Sequence, residues 1–492
     1  MSLQTTFTIL IAIYFVLILI VGLRSNKKIN TSSDYSVAGR NMGAVLGTMT
    51  FTATYVSALT VIGLVGSANG MGLALVPYTF VGLGCGLLFL VLLSGRVHAA
   101  GRTSESVPEL LGKRYDNSTV RVTSAGTIVI AYFVYLIAQL FAVGILLATT
   151  IGFEVWAVIL VVGTIFVLYT LMGGMQAVAR TDAYQLVVLV AAVLLTLVLV
   201  IAKVSDDGLN WSDGPGLSQF LGGPVPNWML AFGWGLSWGL GVACMPNYLQ
   251  RILSCPDART TRLVLGWGSA ISFWLVNTPI LVIGIGIAII DPDIAGDSAL
   301  PSFLLTHGGT VIAALALTGL ISAVMSTTDS LLHVMGVYFG RDILCTLRQI
   351  NDDAKALKFA RMSTGAIGFL AVATATYMSF SPLPLILTFA SYAVSLLAAG
   401  LFVPLFIGLL WRGATKSGAV ASMVVGVVVL IVFELLRSRE VVELHGIVPT
   451  LVCAVIAMVA GSWWDRRREE SKAPELGVPG MPDAVPSPQP QP

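Results

Sequence analysis

In the run GLISAVMSTTDSLLHVMG, Gly319 to Gly336, the residues Ala323, Ser326, Thr327 and Ser330 fall at i, i+3, i+4 and i+7. On a helix that spacing gathers them on one face, a stripe of small and hydroxyl-bearing side chains in an otherwise apolar segment. Asp329 lies one turn beyond Ser326, in company with Ser322 and His333. An ionisable side chain at the centre of a helix in lipid costs about 3 kcal/mol or more, so it is placed there with a partner or an ion. A hard cation such as sodium wants several oxygens, and hydroxyls together with released backbone carbonyls supply them without a further buried charge. For the Ser-Thr pair alone the alternative is a helix contact glued by small residues and hydroxyls.

The carbonyls come from a second stretch, MTFTATYVSALTVIG, Met49 to Gly63. Its centre, Thr52 to Ser57, is rich in hydroxyls and β-branched or aromatic residues, with Ala58 the next small residue, and makes a poor continuous helix. In lipid, backbone that leaves the helix finds partners inside the protein or lines a wet cavity. The stretch therefore reads as a broken helix at a midplane binding site, with Tyr55 and Ser57 in reach of a solute. Asp182, in GGMQAVARTDAYQ, either caps a helix N-terminus together with Thr181 or lies on the exit route of an ion. Arg180 beside it reads as a topology charge. His333 is either a proton relay or a satisfied polar contact near a helix end. Tyr132, Tyr135, Gln139 and Asn277 line a cavity or bridge helices, and Trp234 and Trp238 read as cavity walls.

Positioning these residues takes a membrane. The 492 residues are 56% hydrophobic and 11% charged, with a mean hydropathy of +0.88; a soluble domain carries about twice that charge. Thirteen apolar spans are expected, at 5–23, 42–66, 71–95, 122–150, 154–172, 182–202, 227–246, 264–290, 309–337, 362–380, 384–410, 417–436 and 444–464. No basic residue precedes the first span, whereas Arg24, Lys27 and Lys28 follow it, the reverse of a secretory signal. The expected topology therefore has the N-terminus outside, the C-terminus in the cytoplasm and the chain in the cell membrane. Inner connections then fall at Arg24–Arg40, Arg96–Arg121, Arg180, Arg251–Arg262, Arg341–Arg361 and Arg412–Lys416, ahead of an inner tail. Of the 27 Lys and Arg residues, only Lys203, Arg437 and Arg439 lie elsewhere, the bias expected of cytoplasmic loops. The five scattered cysteines form no disulfide or metal pattern, and no enzyme signature is present, neither a phosphate loop nor a metal-ligand pair nor a nucleophile beside a base.

Spans two to six can be set against spans seven to eleven. An offset of five reverses their sense through the membrane, and each set opens on an irregular helix: Thr52 to Ser57 in one, and Gly233, Gly235, Ser237, Gly239 and Gly241 in the other. Paired interruptions of this kind mark an inverted-repeat transporter with its site at the midplane. The expected fold class is an all-α polytopic membrane protein with two inverted five-helix repeats and broken first helices. Its parts are a flanking helix and inner loop (1–41), a first repeat (42–204), an outer loop (205–226), a second repeat (227–411), two flanking helices (412–464) and a disordered Pro-rich tail (465–492).

The motifs A-V-M-S-T-x-D-S at Ala323 to Ser330, A-T-Y-V-S at Ala53 to Ser57, G-G-x-x-A-V-x-x-T-D at Gly173 to Asp182 and Q-R-I-L-S at Gln250 to Ser254 resemble the sodium:solute symporters. That family includes sodium/proline, sodium/pantothenate, monocarboxylate and sodium/glucose transporters, and the resemblance covers nearly all of the chain except the tail. It implies a sodium site made by the backbone oxygens of Ala53, Val56 and Ala323 and the hydroxyls of Ser326 and Thr327, with Asp182 assisting. It also implies, for some members, a second sodium one turn further along, where this chain has Asp329 and Ser330; the carboxylate departs from that pattern. Tyr55 stands where the proline symporters carry an acidic residue, and A-T-Y-V-S-A looks closer to the pantothenate and monocarboxylate branch. The expectation is a sodium-coupled importer of a small carboxylate. Its rivals are a sodium/proline or other amino-acid symporter, a proton-coupled transporter using Asp329, His333 and Asp182, and a solute sensor of transporter fold. The expected partners are a small organic solute, sodium and the lipid bilayer, with no nucleic acid and the oligomeric state left open.

Overall fold

The computed structural model describes residues 3–26, 31–57, 59–76, 81–220, 228–294, 296–381 and 386–472. Among them every regular element is helical, as lipid requires of a single chain that must satisfy its own backbone. The main helices are α1 (Leu3–Asn26), α2 (Ala44–Tyr55), α3 (Leu64–Met71), α4 (Val81–Ala100), α5 (Ser118–Ile151), α6 (Val155–Asp206) and α7 (Trp228–Ala243). They continue with α8 (Pro246–Ser254), α9 (Ala258–Ile290), α10 (Gly309–Val337), α11 (Asp353–Met378), α12 (Ile386–Phe402), α13 (Lys416–Ser438) and α14 (Ile447–Lys472). Nine helices among the described residues are long and apolar enough to cross a membrane, or ten if the bent pair Ala44–Tyr55 and Leu59–Leu75 is one span. Shorter apolar helices at Thr5–Ile18 and Val155–Leu171 stand where the first and fifth spans are expected, and α7 stands where the seventh is.

The frame is α10. From Ala316 to Val337 every one of its residues is buried, the condition of a helix enclosed on all sides. It packs along α6, α1 and α11.

Three breaks interrupt the other helices, and two differ from expectation. The first falls where Thr52 to Ser57 predicts it: α2 ends at Tyr55, Val56 swings to φ −82°, ψ 100°, and helix resumes at Leu59 after a bend of 53°. Ala58 lies outside the described residues. The second is not at the glycines. α7 runs unbroken through Gly233 to Gly241 and stops at Cys244 and Met245, where Met245 is extended at φ −60°, ψ 117°. The cause is Pro246, whose ring drives the preceding residue out of helical geometry. The glycines pack instead: a Cβ on Gly82 would lie 2.4 Å from the carbonyl oxygen of Gly235, and one on Gly86 2.3 Å from that of Gly239. Small residues let α4 and α7 touch backbone to backbone.

The third break is at Gly174, whose φ of 54° and ψ of −176° only glycine adopts readily. The turn expected at Arg180 is thus displaced by two helical turns, and Arg180, Thr181 and Asp182 lie within a helix that runs on to Asp206. The Arg251–Arg262 connection also shrinks, because Gln250 to Ser254 belong to the buried helix α8 and Asp257 already caps α9 through the Thr260 N–H. At the other end α14 carries helix through Lys472, past the expected start of the tail at 465; residues 473–492 lie outside the described residues.

The α4–α7 contact has a direct test. Gly86→Val places carbon where the Gly239 carbonyl stands and costs about 1–3 kcal/mol by overpacking, read as a lower melting temperature in detergent. Gly95→Ala on the same helix, where nothing lies within 4 Å, leaves the melting temperature unchanged.

Candidate functional site

The break in α2 releases backbone oxygens. Past the break the Ser57 N–H donates to Thr60 Oγ1 (3.3 Å) and the Thr60 N–H to Ser57 Oγ (3.4 Å), so neither closes a helical bond onto Ala53 or Val56. α10 takes up the slack. Ser326 Oγ lies 2.9 Å from the Ala53 carbonyl and 3.0 Å from that of Ala323, and Thr327 Oγ1 donates to the Thr54 carbonyl at 3.3 Å. A hydroxyl has one proton. The Ala323 carbonyl already takes a backbone N–H inside the unbroken α10, whereas the Ala53 carbonyl, freed by the break, has the Ser326 hydroxyl. The oxygens of Ala53, Ala323 and Ser326 thus lie together as hard donors of the kind a cation takes. Val56, at the break itself, is fully buried as well. The structure thus brings Ala53, Ala323, Ser326 and Thr327 into one joint with Val56 beside it.

Asp182 does not cap a helix. It lies two turns past the Gly174 break of α6 and is 0% exposed, and its Oδ2 accepts from Thr50 Oγ1 (2.5 Å), Thr54 Oγ1 (3.2 Å) and Arg251 Nη2 (2.9 Å). Arg251, expected as a loop charge, is 1% exposed. It also donates to Thr50 Oγ1, Thr54 Oγ1, Ser330 Oγ and the Asn247 carbonyl. Ser330 and Thr54 hydroxyls lie 3.2 Å apart. Asp182 and Ser330 therefore share one cluster. Asp329 is elsewhere: its Oδ1 accepts from Thr170 Oγ1 at 3.0 Å, on the first half of α6, and its Oδ2 is buried with no hydrogen-bond partner among the described residues. His333, also buried, sets its ring 4.9 Å from that of Tyr35.

Beside the α2–α10 joint lies a narrow cavity walled by Tyr55, Thr60, Tyr135, Trp238, Met245, Tyr248 and Leu387 among others. Aromatic rings make up much of its wall. Tyr55 OH accepts from Asn277 Nδ2 at 2.7 Å, from a π-helical turn of α9 (Ile271–Asn277) just ahead of Pro279. Ser57 Oγ and Tyr135 OH are 3.3 Å apart. Gln139 is buried one turn beyond Tyr135. Trp234 faces away, edge-on to His445 at 6.4 Å. Tyr132 ties α5 to the second break through Asn247 Oδ1 at 2.6 Å. Sequence reasoning missed Met245, Asn247, Tyr248 and Arg251, and the signal that would have found them is Pro246, which places a break and a fresh helix at that point.

A many-spanning chain with discontinuous helices, whose released carbonyls meet a hydroxyl stripe beside an occluded cavity, has the build of a secondary transporter. The sequence model of the sodium:solute symporter family matches residues 35–426, and the chain belongs to that family. Its relatives include the osmoregulated proline transporter OpuE of Bacillus subtilis, 23% identical over 95% of this chain and 96% of that protein. Another is the sodium/pantothenate symporter of Haemophilus influenzae, 25% identical over 89% and 91%. Among solved structures, a Na+-coupled sialic acid symporter in a substrate-bound outward-open state superposes with a TM-score of 0.79 at 16% identity, over 94% of this chain and 98% of that one. The fold is that of the sodium-coupled symporters. The protein is a multi-pass membrane transporter whose family couples sodium to small organic solutes.

The buried pair carries its own prediction. Asp182→Asn leaves the Arg251 charge in place without its counter-charge and costs about 3–5 kcal/mol, against about 1–2 kcal/mol for Thr50→Val, which removes one hydroxyl. Melting curves of the purified variants that ranked Thr50→Val as the worse would show that the ion pair does not hold this cluster together.

Proposed function

We propose that this chain imports a small organic carboxylate with sodium across the cell membrane, its N-terminus outside and its C-terminus in the cytoplasm. Sodium sits at the α2–α10 joint, held by the backbone oxygens of Ala53, Val56 and Ala323 and the hydroxyls of Ser326 and Thr327. The observation that carries the reading is that joint, where the Ser326 hydroxyl brings the Ala53 carbonyl, released at the break, against the Ala323 carbonyl of α10.

The cavity wall supports a carboxylate. Every described residue that lines it is uncharged, so among them an ammonium group finds no counter-charge. Phenol and threonine hydroxyls donate to a carboxylate, and the neighbouring sodium neutralises it. Proline, pantothenate and sialic acid, the solutes in the names of the related proteins, all carry a carboxylate. Coupling follows from position. Tyr55 and Ser57 flank Val56 on the chain and reach the cavity wall, so pinning the break with an ion sets their place. An ion shifts the outward–inward equilibrium only by its differential affinity for the two states, and a site built on a break differs between them whenever the break moves. The driving force is about 2.3 kcal/mol per 100 mV for the charge and about 1.4 kcal/mol per tenfold sodium ratio.

The test is uptake of labelled pantothenate, acetate, pyruvate, proline and glucose into proteoliposomes, with and without an inward sodium gradient, for the native protein and for Ser326→Ala/Thr327→Ala. Sodium-dependent uptake of one carboxylate, reduced at least tenfold in the double variant (about 1.4 kcal/mol or more), is the expected result. Uptake that follows a proton gradient and survives the double variant would overturn the sodium site and move attention to Asp329 and His333. Sodium-dependent uptake of glucose alone would keep the coupling and overturn the carboxylate.

A further inference from the structure

One nitrogen in the core has more oxygens around it than a hydrogen-bond donor needs. Arg251 Nη2 carries two protons, yet four side-chain oxygens surround it: Asp182 Oδ2 at 2.9 Å, Thr50 Oγ1 at 2.9 Å, Ser330 Oγ at 3.0 Å, and Thr54 Oγ1 in close contact. Three helices supply them: α2 gives the threonines, α6 the aspartate and α10 the serine. Lone pairs from separate elements that converge on one positive centre form a coordination shell, and hard oxygens with one carboxylate make a shell that suits sodium.

The shell repeats the sodium joint one turn further along the same two helices. Ser330 follows Ser326 by four residues on α10, and Thr50 precedes Thr54 by four on α2. Thr54 links the two sets, since its carbonyl accepts from Thr327 while its hydroxyl contacts Asp182, Ser330 and Arg251. The charge also closes. Asp182 and Arg251 cancel, and a second sodium here would leave an uncompensated positive charge in a fully buried place. The carboxylate keeps capacity in hand, because Asp182 Oδ1 is buried with no hydrogen-bond partner among the described residues. The guanidinium is held from behind by Nη1 donating to the Asn247 carbonyl at 2.8 Å, so α8 delivers it as a fixed head rather than a mobile arm.

We propose that Arg251 is a built-in cation that fills a second cation site formed by Asp182, Thr50, Thr54 and Ser330, so that the protein binds one sodium where the empty shell would bind two. The inference rests on sodium binding at Ser326 and Thr327. It assigns Asp182 to the tethered charge rather than to a second transported ion, and it makes Arg251 the residue that sets ion stoichiometry.

The experiment is equilibrium binding of radioactive sodium to the purified full-length protein, together with the sodium dependence of uptake. The native protein binds one sodium, with a Hill coefficient of about 1, and Arg251→Gln binds two, with a Hill coefficient for uptake that does not exceed about 2. Arg251→Lys keeps a cation in the shell and stays at one, and Arg251→Gln/Asp182→Asn, which removes the shell's carboxylate, returns to one. Sodium raises the melting temperature of Arg251→Gln more than that of the native protein, because two ions then bind the folded state. A native stoichiometry of two, or a folded Arg251→Gln that binds one, overturns the inference while leaving the sodium symport intact. If Arg251→Gln is recovered only as aggregate, the native count decides: one upholds the inference, two overturns it. No sodium bound by the native protein overturns the sodium reading, and this inference with it.

Discussion

A helix broken inside a membrane persists only if other groups take up the backbone it releases, and in this protein α10 does that for α2. Ser326 and Ala53 are 273 residues apart in sequence, and the bond between them fixes the depth and rotation of the break. The bond depends on small residues. Ala323 and Ser326 let α2 approach closely enough for a short hydroxyl to reach its backbone, and a leucine at either place would hold it off. It depends equally on α10 being enclosed on every side, since a helix free to roll would carry its hydroxyls away. From this one joint the neighbouring geometry follows: Tyr55 and Ser57 flank the break, so their contacts with Asn277 and Tyr135 are set by where α10 holds it.

The same face of α2 and α10 carries the second polar cluster, and there the energetic logic is different. Burying Asp182 and Arg251 costs several kcal/mol for each charge, and their mutual attraction repays it only with good geometry and further hydrogen bonds. Thr50, Thr54, Ser330 and the Asn247 carbonyl supply those bonds. A buried pair is weak evidence of stability for its own sake. What it gains here is a tie between α8, beyond the second break, and the α2, α6 and α10 helices around the first, so that the two discontinuities are joined by one charge pair rather than by apolar contacts that could slide.

Much of this was legible in the sequence. Apolar runs of membrane length gave the helices, the i, i+3, i+4, i+7 stripe gave the face of α10 that meets α2, and the hydroxyl-rich Thr52 to Ser57 gave the first break to within a residue. The failures have physical reasons. Glycine in a membrane helix serves both breakage and close packing, and in α7 it serves packing against α4, while the less conspicuous Pro246 makes the break. Arg251 follows an apolar span and reads as a cytoplasmic charge because its counter-charge is 69 residues away; ion pairs between distant segments leave no local pattern. Asp182 was misplaced for a related reason. Gly174 alone marks the turn, and Arg180, the more visible feature, sits well inside the helix. Asp329 matches the stripe in sequence register but stands against Thr170, because a one-residue step on a helix turns a side chain by about 100°.

The narrowness of the cavity bears on how the protein works. In this structure the cavity beside the oxygen-rich joint is narrow, with aromatic side chains in much of its wall. Those walls are unequal. α10, enclosed from Ala316 onward among α1, α6 and α11, cannot shift there without disrupting most of the core. Trp238, Met245 and Tyr248 stand on α7, at the second break and on α8, where the interrupted hydrogen-bond ladder lets two helix segments change their angle at little cost. Tyr55 and Leu59 stand at the first break in the same way. The aromatic wall is thus mounted on the two hinges and the hydroxyl stripe on the fixed frame. Each break is tied to the frame by polar groups of different kinds, the Ser326 and Thr327 hydroxyls on the Ala53 and Thr54 carbonyls at the first and the Arg251 charge on Asp182 and Ser330 at the second.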